Sequence, residues 1–250
     1  MLGTTWLAYF ENNAREDRAP TPALAAELPS ALHGALAESL GRFQLGESAG
    51  GKIHEDIATL RDAALDPPTR RAIQLYIEEE WRHARELALV IHALGGELQR
   101  SHWTNGAFTA CRRLLGLRTK MMTLAIAEVI GIVYYRALAA GLGSAGLSSA
   151  LSRIANEESA HLDFQAAFFE HVVRVTPRPV RELHRWLLCA LMLGVLIAAC
   201  GVLWLDHGRL LRHAGCGPWA VARDCWRQLA ARRFLGLPAG PTRALGFEHG

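Results

Sequence analysis

The chain has 250 residues, half of them hydrophobic and only 20% charged, so it can bury a sizeable core and is not a disordered protein. Its formal net charge of +3 is too small and too mixed to indicate a nucleic-acid-binding protein, and we expect no nucleic-acid partner. Residues 1–173 hold 16 basic and 20 acidic residues, whereas residues 174–250 hold 11 and 4. The C-terminal third therefore presents a more basic surface than the rest.

The N-terminal segment and the cysteines predict a cytoplasmic protein. The segment Met1 to Phe10 is apolar, but no basic residues precede it and no cleavage site typical of a secretory signal follows it. The five cysteines are odd in number and contain no Cys-x-x-Cys pair, which favours reduced thiols. They are Cys111, Cys189, Cys200, Cys216 and Cys225.

Proline and glycine divide the sequence into long helical stretches, and sustained alternation typical of strands is missing. We therefore predict an all-α protein with an N-terminal leader over 1–29, a helical domain over 30–173 and a basic helical extension over 174–250. Within the domain, the pattern predicts helices over 30–65, 69–94, 117–141 and 147–173.

The extension contains an apolar helix over 186–205, which is twenty residues without a charge. That length spans a bilayer, but arginines both precede and follow it, so the positive-inside rule gives no orientation. A helix buried against the domain is the favoured interpretation. Trp219 and Trp226 follow at helical spacing beside arginines, and a basic helix with tryptophans can lie on a membrane surface. A peripheral membrane contact through 186–233 therefore stays open as an alternative.

Each helix of the domain carries a glutamate where the helical period requires an apolar residue. Burying an unpaired carboxylate costs several kcal/mol, and the four apolar stripes offer no lysine or arginine as a partner. Two divalent cations would balance the four charges. The four glutamates are Glu47, Glu80, Glu128 and Glu158.

Two histidines complete the predicted site. His83 follows Glu80 by three residues and His161 follows Glu158 by three, a spacing that puts each pair on one helix face beside one metal. The arrangement also occurs twice, because each half of the domain has a helix with Glu followed by a helix with Glu-x-x-His.

The segments Glu80-Trp81-Arg82-His83 and Glu158-Ser159-Ala160-His161, with Glu47 and Glu128, resemble the ferritin-like di-iron carboxylate superfamily. The resemblance implies a ferritin-like four-helix bundle with a C-terminal apolar extension, and two iron ions held by these six side chains. In the multicomponent hydroxylases of that superfamily, an acid before the ligand Glu holds a ligand histidine. Glu79 and Glu157 are expected in that role, although Ala160 stands where the second motif would have arginine.

Several neighbours of the predicted ligands have two interpretations. Tyr76 and Tyr135 either hydrogen-bond a ligand or relay an electron, or they only pack in the core. Gly50, Gly51 and Gly131 either leave space for oxygen or a substrate, or they permit close contact between helices. His54 lies two turns beyond Glu47, too far to share its metal, and is interpreted as a core histidine.

The resemblance implies a non-haem di-iron, O2-dependent oxidoreductase. It would be an oxygenase, N-oxygenase or oxidase that acts on a small, apolar organic substrate and takes electrons from an external donor. The missing Cys-x-x-Cys pairs argue against a rubrerythrin.

Other assignments stay open. The protein is alternatively a ferroxidase-type iron-binding protein without an organic substrate, or a membrane-associated quinol-type enzyme. Manganese, or a mixed Mn/Fe pair, suits the same ligands as iron. A homodimer is compatible with the sequence.

Overall fold

The computed structural model describes residues 2–15, 27–48, 65–103 and 116–237, together with residues 54, 57 and 106. Within these ranges the chain forms seven α-helices, a short 3-10 turn at Phe234–Gly236 and no strand, which confirms the all-α prediction. The helices are α1 Leu2–Arg15, α2 Ser30–Glu47, α3 Pro67–Ala93, α4 Gly116–Gly141, α5 Ala145–Val175, α6 Arg178–His213 and α7 Pro218–Ala231.

Helix α3 begins where the sequence supplies its cap. The Asp66 side chain accepts a hydrogen bond from the backbone N–H of Thr69 at 2.8 Å. Pro67 and Pro68 occupy the first turn, where a helix needs no N–H donor. After the helix ends, Gly95 takes a positive φ of 76° and turns the chain away.

Helix α5 has a cap made by two segments of the chain. The Ser144 hydroxyl accepts a hydrogen bond from the backbone N–H of Leu147 at 3.2 Å. The same hydroxyl donates to Glu27 Oε2 at 2.8 Å, and the backbone N–H of Gly146 also donates to that oxygen. The residues just before α2 therefore stabilise the N-terminus of α5.

The predicted helices agree closely with three observed ones, α3, α4 and α5. The prediction over 30–65 is confirmed for Ser30–Glu47, whereas most of the remainder lies outside the described residues. The leader contains a helix that packs on the domain, because α1 lies against α3 and α5. Its Phe10 is only 1% exposed and lies against the rings of Tyr76 and His161.

Helix α2 packs along α3, and α4 packs along α5, so that the inner faces of all four helices contribute to one hydrophobic core. Helix α6 lies mainly against α4 and also contacts α2 and α5. Helix α7 packs on α4 and α6. This arrangement places α6 as an outer wall beside the four helices that carry the predicted ligands.

Two helices, Leu117–Gly141 in α4 and Arg178–His213, are long and apolar enough to cross a membrane. The α4 segment is two-thirds buried in its most apolar window and carries Glu128, as expected of a core helix. Only 33% of the corresponding window of α6 is buried. The interpretation of 186–205 as a buried helix is therefore right for one face of α6 only, since its other face is exposed.

Candidate metal centre

Four of the predicted ligands form a buried group between α3 and α5. Glu80 and His83 come from one face of α3, and Glu158 and His161 come from the facing side of α5. One ligand atom of each lies within 4.8 Å of the others, and all four side chains are buried. The group can hold a metal ion.

Each imidazole faces the carboxylate of the opposite helix. His83 Nδ1 lies 2.9 Å from Glu158 Oε1, and His161 Nδ1 lies 2.8 Å from Glu80 Oε1. His161 Nδ1 also lies 2.9 Å from Glu158 Oε2. Both Nδ1 atoms therefore point into the centre of the group, where a ligand nitrogen is needed.

The other two predicted ligands lie beside this group. Glu128 Oε2 is 4.0 Å from His161 Nδ1, and Glu47 shares a hydrogen bond with Glu80. Glu128 is buried, whereas Glu47 is only partly buried. The structure thus brings all six predicted ligands together, and we call them the Glu/His cluster.

The acids that precede the two Glu-x-x-His segments contact the imidazoles crosswise. Glu157 Oε2 lies 2.7 Å from Nε2 of His83, and Glu79 Oε2 lies 3.5 Å from Nε2 of His161. Each acid thus contacts the histidine of the other segment. A carboxylate at Nε2 favours a proton there and leaves Nδ1 available as a ligand.

A single arginine contacts both of these acids. The Arg82 guanidinium donates to Glu79 and to Glu157, the latter at 3.1 Å. Asn13 of α1 also donates to Glu79, at 3.2 Å. Because Arg82 already reaches both acids, the second segment needs no arginine at Ala160.

The two tyrosines donate hydrogen bonds to the outer glutamates. Tyr76 Oη donates to Glu128 Oε1 at 2.5 Å, and Tyr135 Oη donates to Glu47 Oε1 at 2.9 Å. Gln165 Nε2 adds a hydrogen bond to Tyr76 Oη at 3.0 Å and approaches Glu128 Oε1 at 3.4 Å. Sequence reasoning missed Gln165, although it is a polar residue one turn after His161 on the buried face.

The pKa values of the glutamates in the Glu/His cluster are shifted in opposite directions. Burial and neighbouring carboxylates raise the pKa values of Glu47 and Glu128 well above their ordinary values. Burial also opposes ionisation of Glu158, but the nearby imidazoles outweigh it and hold the Glu158 pKa well below its ordinary value. The same contacts overcome burial and raise the pKa values of His83 and His161. Protons can thus neutralise the cluster, and a divalent cation would displace them.

Several atoms of the cluster lack the hydrogen bonds that buried polar atoms normally make. Glu80 Oε1, Glu158 Oε1 and His83 Nδ1 are buried and make no hydrogen bond of favourable geometry, although nitrogen and oxygen atoms lie 2.8–2.9 Å apart there. They converge in one place, and carboxylate oxygens with imidazole nitrogens are donors typical of iron, manganese and zinc sites. The residues present therefore fit a metal ion better than a closed hydrogen-bond network.

A cavity of about 130 Å³ adjoins the cluster, bordered by its four glutamates. Most of the remaining wall is apolar, with Phe43 from α2, Leu124 and Ile130 from α4, and Val202 and Leu203 from α6. His207 and Arg42 also line it. Helix α6 therefore forms one wall of a cavity that begins at the candidate metal ligands.

Gly131 lies in this cavity wall. A Cβ atom placed there would meet only the Tyr135 ring within 4 Å, at 3.4 Å, which is ordinary contact. The glycine thus leaves space rather than permitting a close approach of helices. Gly50 and Gly51 lie outside the described residues. His54 is partly exposed rather than in the core, and its Nε2 lies 3.3 Å from Glu78.

Comparisons with protein-family models, with curated proteins and with solved structures find no match to this chain. What is established is an all-helical protein whose buried carboxylates and imidazoles are compatible with a di-iron site.

Proposed function

We propose that the protein is a ferritin-like four-helix-bundle enzyme with a non-haem di-iron centre, which uses O2 to oxidise a small apolar substrate. The observation that carries this proposal is the position of the cavity, which lies between the four glutamates and apolar side chains of α2, α4 and α6. Such a cavity can place an organic molecule beside the metal ligands.

Three side chains would coordinate each metal ion. Glu47, Glu80 and His83 would bind one iron ion; Glu128, Glu158 and His161 would bind the other. Two ferrous ions, when bound, would supply the two electrons needed to activate O2. Manganese suits the same donors, so the metal itself must be measured.

The surrounding residues orient the ligands and shape the cavity. Glu157 lies at hydrogen-bond distance from Nε2 of His83 and Glu79 lies 3.5 Å from Nε2 of His161, which favours imidazoles with Nδ1 directed inward. Tyr135 and Tyr76 each hold one outer glutamate by a phenol hydrogen bond. The apolar wall excludes water and favours an uncharged substrate, and electrons would come from an external donor.

Metal content tests the centre directly. We expect about two metal ions per chain in protein purified after iron supplementation, as in di-metal carboxylate bundles. The double variant Glu80→Ala, Glu158→Ala should contain almost none. Glu170→Ala, which removes an exposed carboxylate from α5, is the matched control and should keep the metal. Folded wild-type protein without metal would contradict the proposal.

Product formation separates an organic oxidation from simple iron oxidation. We expect the iron-loaded protein, supplied with O2 and a reductant, to convert members of a panel of small apolar compounds. Gly131→Leu should fill the cavity and suppress turnover while it leaves the metal content unchanged. If Fe(II) is oxidised and stored without any organic product, the ferroxidase alternative is correct.

A further inference from the structure

The exposed side of α6 is unusually apolar for a protein surface. At the helical turn of about 100° per residue its large side chains fall within a sector of about 140°, so they share one side of the helix. They are 40–81% exposed. We call this surface the α6 outer face, and it consists of Leu183, Trp186, Leu187, Leu191, Ile197 and Leu205.

The α6 outer face is long and has arginines at both ends. No charged residue occurs over 186–205, which spans about 28 Å at the helical rise of 1.5 Å per residue. Before this stretch, Arg178, Arg181 and Arg185 outnumber the single acid Glu182. After it, Arg209 and Arg212 outnumber the single acid Asp206.

This charge pattern argues against a second copy of the chain as the partner. If two copies paired along α6 with parallel helices, each end of the helix would face the same end of its partner. If the helices were antiparallel, each N-terminal end of α6 would face the C-terminal end of its partner, and both of these ends are rich in arginine. Both arrangements place basic groups opposite basic groups, which is unfavourable. Anionic lipid headgroups, by contrast, complement both ends, while the acyl chains cover the apolar side chains between them.

The orientation on the bilayer follows from the packing. A spanning helix normally has more basic residues on one side, whereas α6 has arginines at both ends. Its inner face, which includes Met192, Leu196 and Leu203, is buried against the protein. We propose that the protein docks on an anionic membrane surface through the α6 outer face, with the α6 axis parallel to the bilayer.

This docking would bring the cavity close to the lipid. Ala199, Val202 and Leu203 line the cavity, whereas Ile197, in the same turns of α6, faces outward. Only the thickness of this helix would separate the cavity from the bilayer. If the proposed function holds, the substrate class is then a hydrophobic molecule dissolved in the membrane.

Vesicle flotation of the full chain tests the docking. Wild type should float with vesicles of phosphatidylcholine and phosphatidylglycerol, and much less with phosphatidylcholine alone. The variant Leu187→Glu, Ile197→Glu should lose at least about tenfold in vesicle affinity, because two apolar side chains that would enter the bilayer become charged. Leu89→Glu, which changes an exposed leucine of α3, is the control and should float like wild type.

Circular dichroism and metal content of the double variant show whether it still folds. Glu158→Ala should float like wild type, so a failed metal site and a failed membrane site give different results. Wild type that stays unbound, or that binds both vesicle types equally, overturns the proposal. So does a wild-type dimer that becomes monomeric in the Leu187→Glu, Ile197→Glu variant and never floats.

Discussion

The Glu/His cluster has two sides that are held in different ways. On the imidazole side, the two histidines contact Glu79 and Glu157, and Arg82 joins those two acids. On the cavity side, Glu47 and Glu128 accept hydrogen bonds from tyrosines and border the cavity. The first side is a network of charged contacts, whereas the second leaves space.

This difference suggests that the imidazole side fixes the metal ligands and that the cavity side accommodates a substrate. The network around the imidazoles directs both Nδ1 atoms into the cluster, which favours tight metal binding. The cavity side combines fewer restraints with an apolar wall, which suits carboxylates that shift and a substrate that enters. Variants on the two sides should therefore affect different properties.

The largest effect is expected when Glu158 is removed. Its carboxylate lies within 2.9 Å of Nδ1 of both His83 and His161, so Glu158→Ala should reduce the metal content almost to zero. Glu47→Ala changes a partly buried ligand on the cavity side and should keep a measurable fraction of the metal. Metal analysis of both purified variants checks this order, and equal loss in both would remove the distinction.

Arg82 should have the next largest effect, although it is not expected to touch the metal. Arg82→Gln removes the charge that holds Glu79 and Glu157 together and should weaken metal affinity by roughly 10- to 100-fold. Arg82→Lys should restore part of it. Arg85→Gln, an exposed neighbour on α3, should bind metal like wild type. Competition with a chelator measures these affinities, and an unchanged Arg82→Gln would show that the acids need no arginine.

The two tyrosines allow a finer comparison on the cavity side. Tyr135→Phe removes the phenol that donates to Glu47, whereas Tyr76→Phe leaves Gln165 near Glu128. We expect Tyr135→Phe to lower the free energy of unfolding by about 1–2 kcal/mol and Tyr76→Phe by less. Denaturant titrations of the metal-free proteins measure this difference. The reverse order would mean that Gln165 does not replace the lost phenol.

The smallest expected effect at neutral pH concerns His207, at the cavity wall on α6, because its contribution grows only on acidification. Burial, with Arg42 and His102 nearby, lowers the His207 pKa to about 3. The unfolded chain binds this proton near pH 6.5 and the folded chain does not, so acidification favours unfolding. His207 should therefore cost up to about 2 kcal/mol of stability between pH 7 and pH 5.

The variant His207→Gln lacks this titration and isolates its contribution. Its free energy of unfolding should fall less steeply than that of wild type over the same pH range. Denaturant titrations at pH 7, 6 and 5 measure the two slopes. Identical slopes would show that His207 takes up its proton over the same pH range in the folded and the unfolded protein, despite its hydrogen bond to Ser39.

Helical period was sufficient to put each predicted ligand on the inward face of its own helix, because residues three and four apart share a face whatever the rest of the fold does. It also placed Gly131 beside the site. It could not pair Glu79 with His161 or Glu157 with His83, because those contacts join two helices that are far apart in sequence. The sequence did not identify Gln165 as a site residue for a related reason, since its hydrogen bond is to Tyr76 of another helix.

The sequence by itself determined the all-α class, the extents of α3, α4 and α5, and the inward positions of the predicted ligands, since these follow from local period and capping. Only the tertiary structure decided that Arg82 contacts both Glu79 and Glu157 and that α6 forms one wall of the cavity. It also decided that α6 buries one face and exposes the other. The physical reason is that an apolar residue has the same helical period whether it faces a protein core or a lipid. Which of the two it meets depends on what packs beside it.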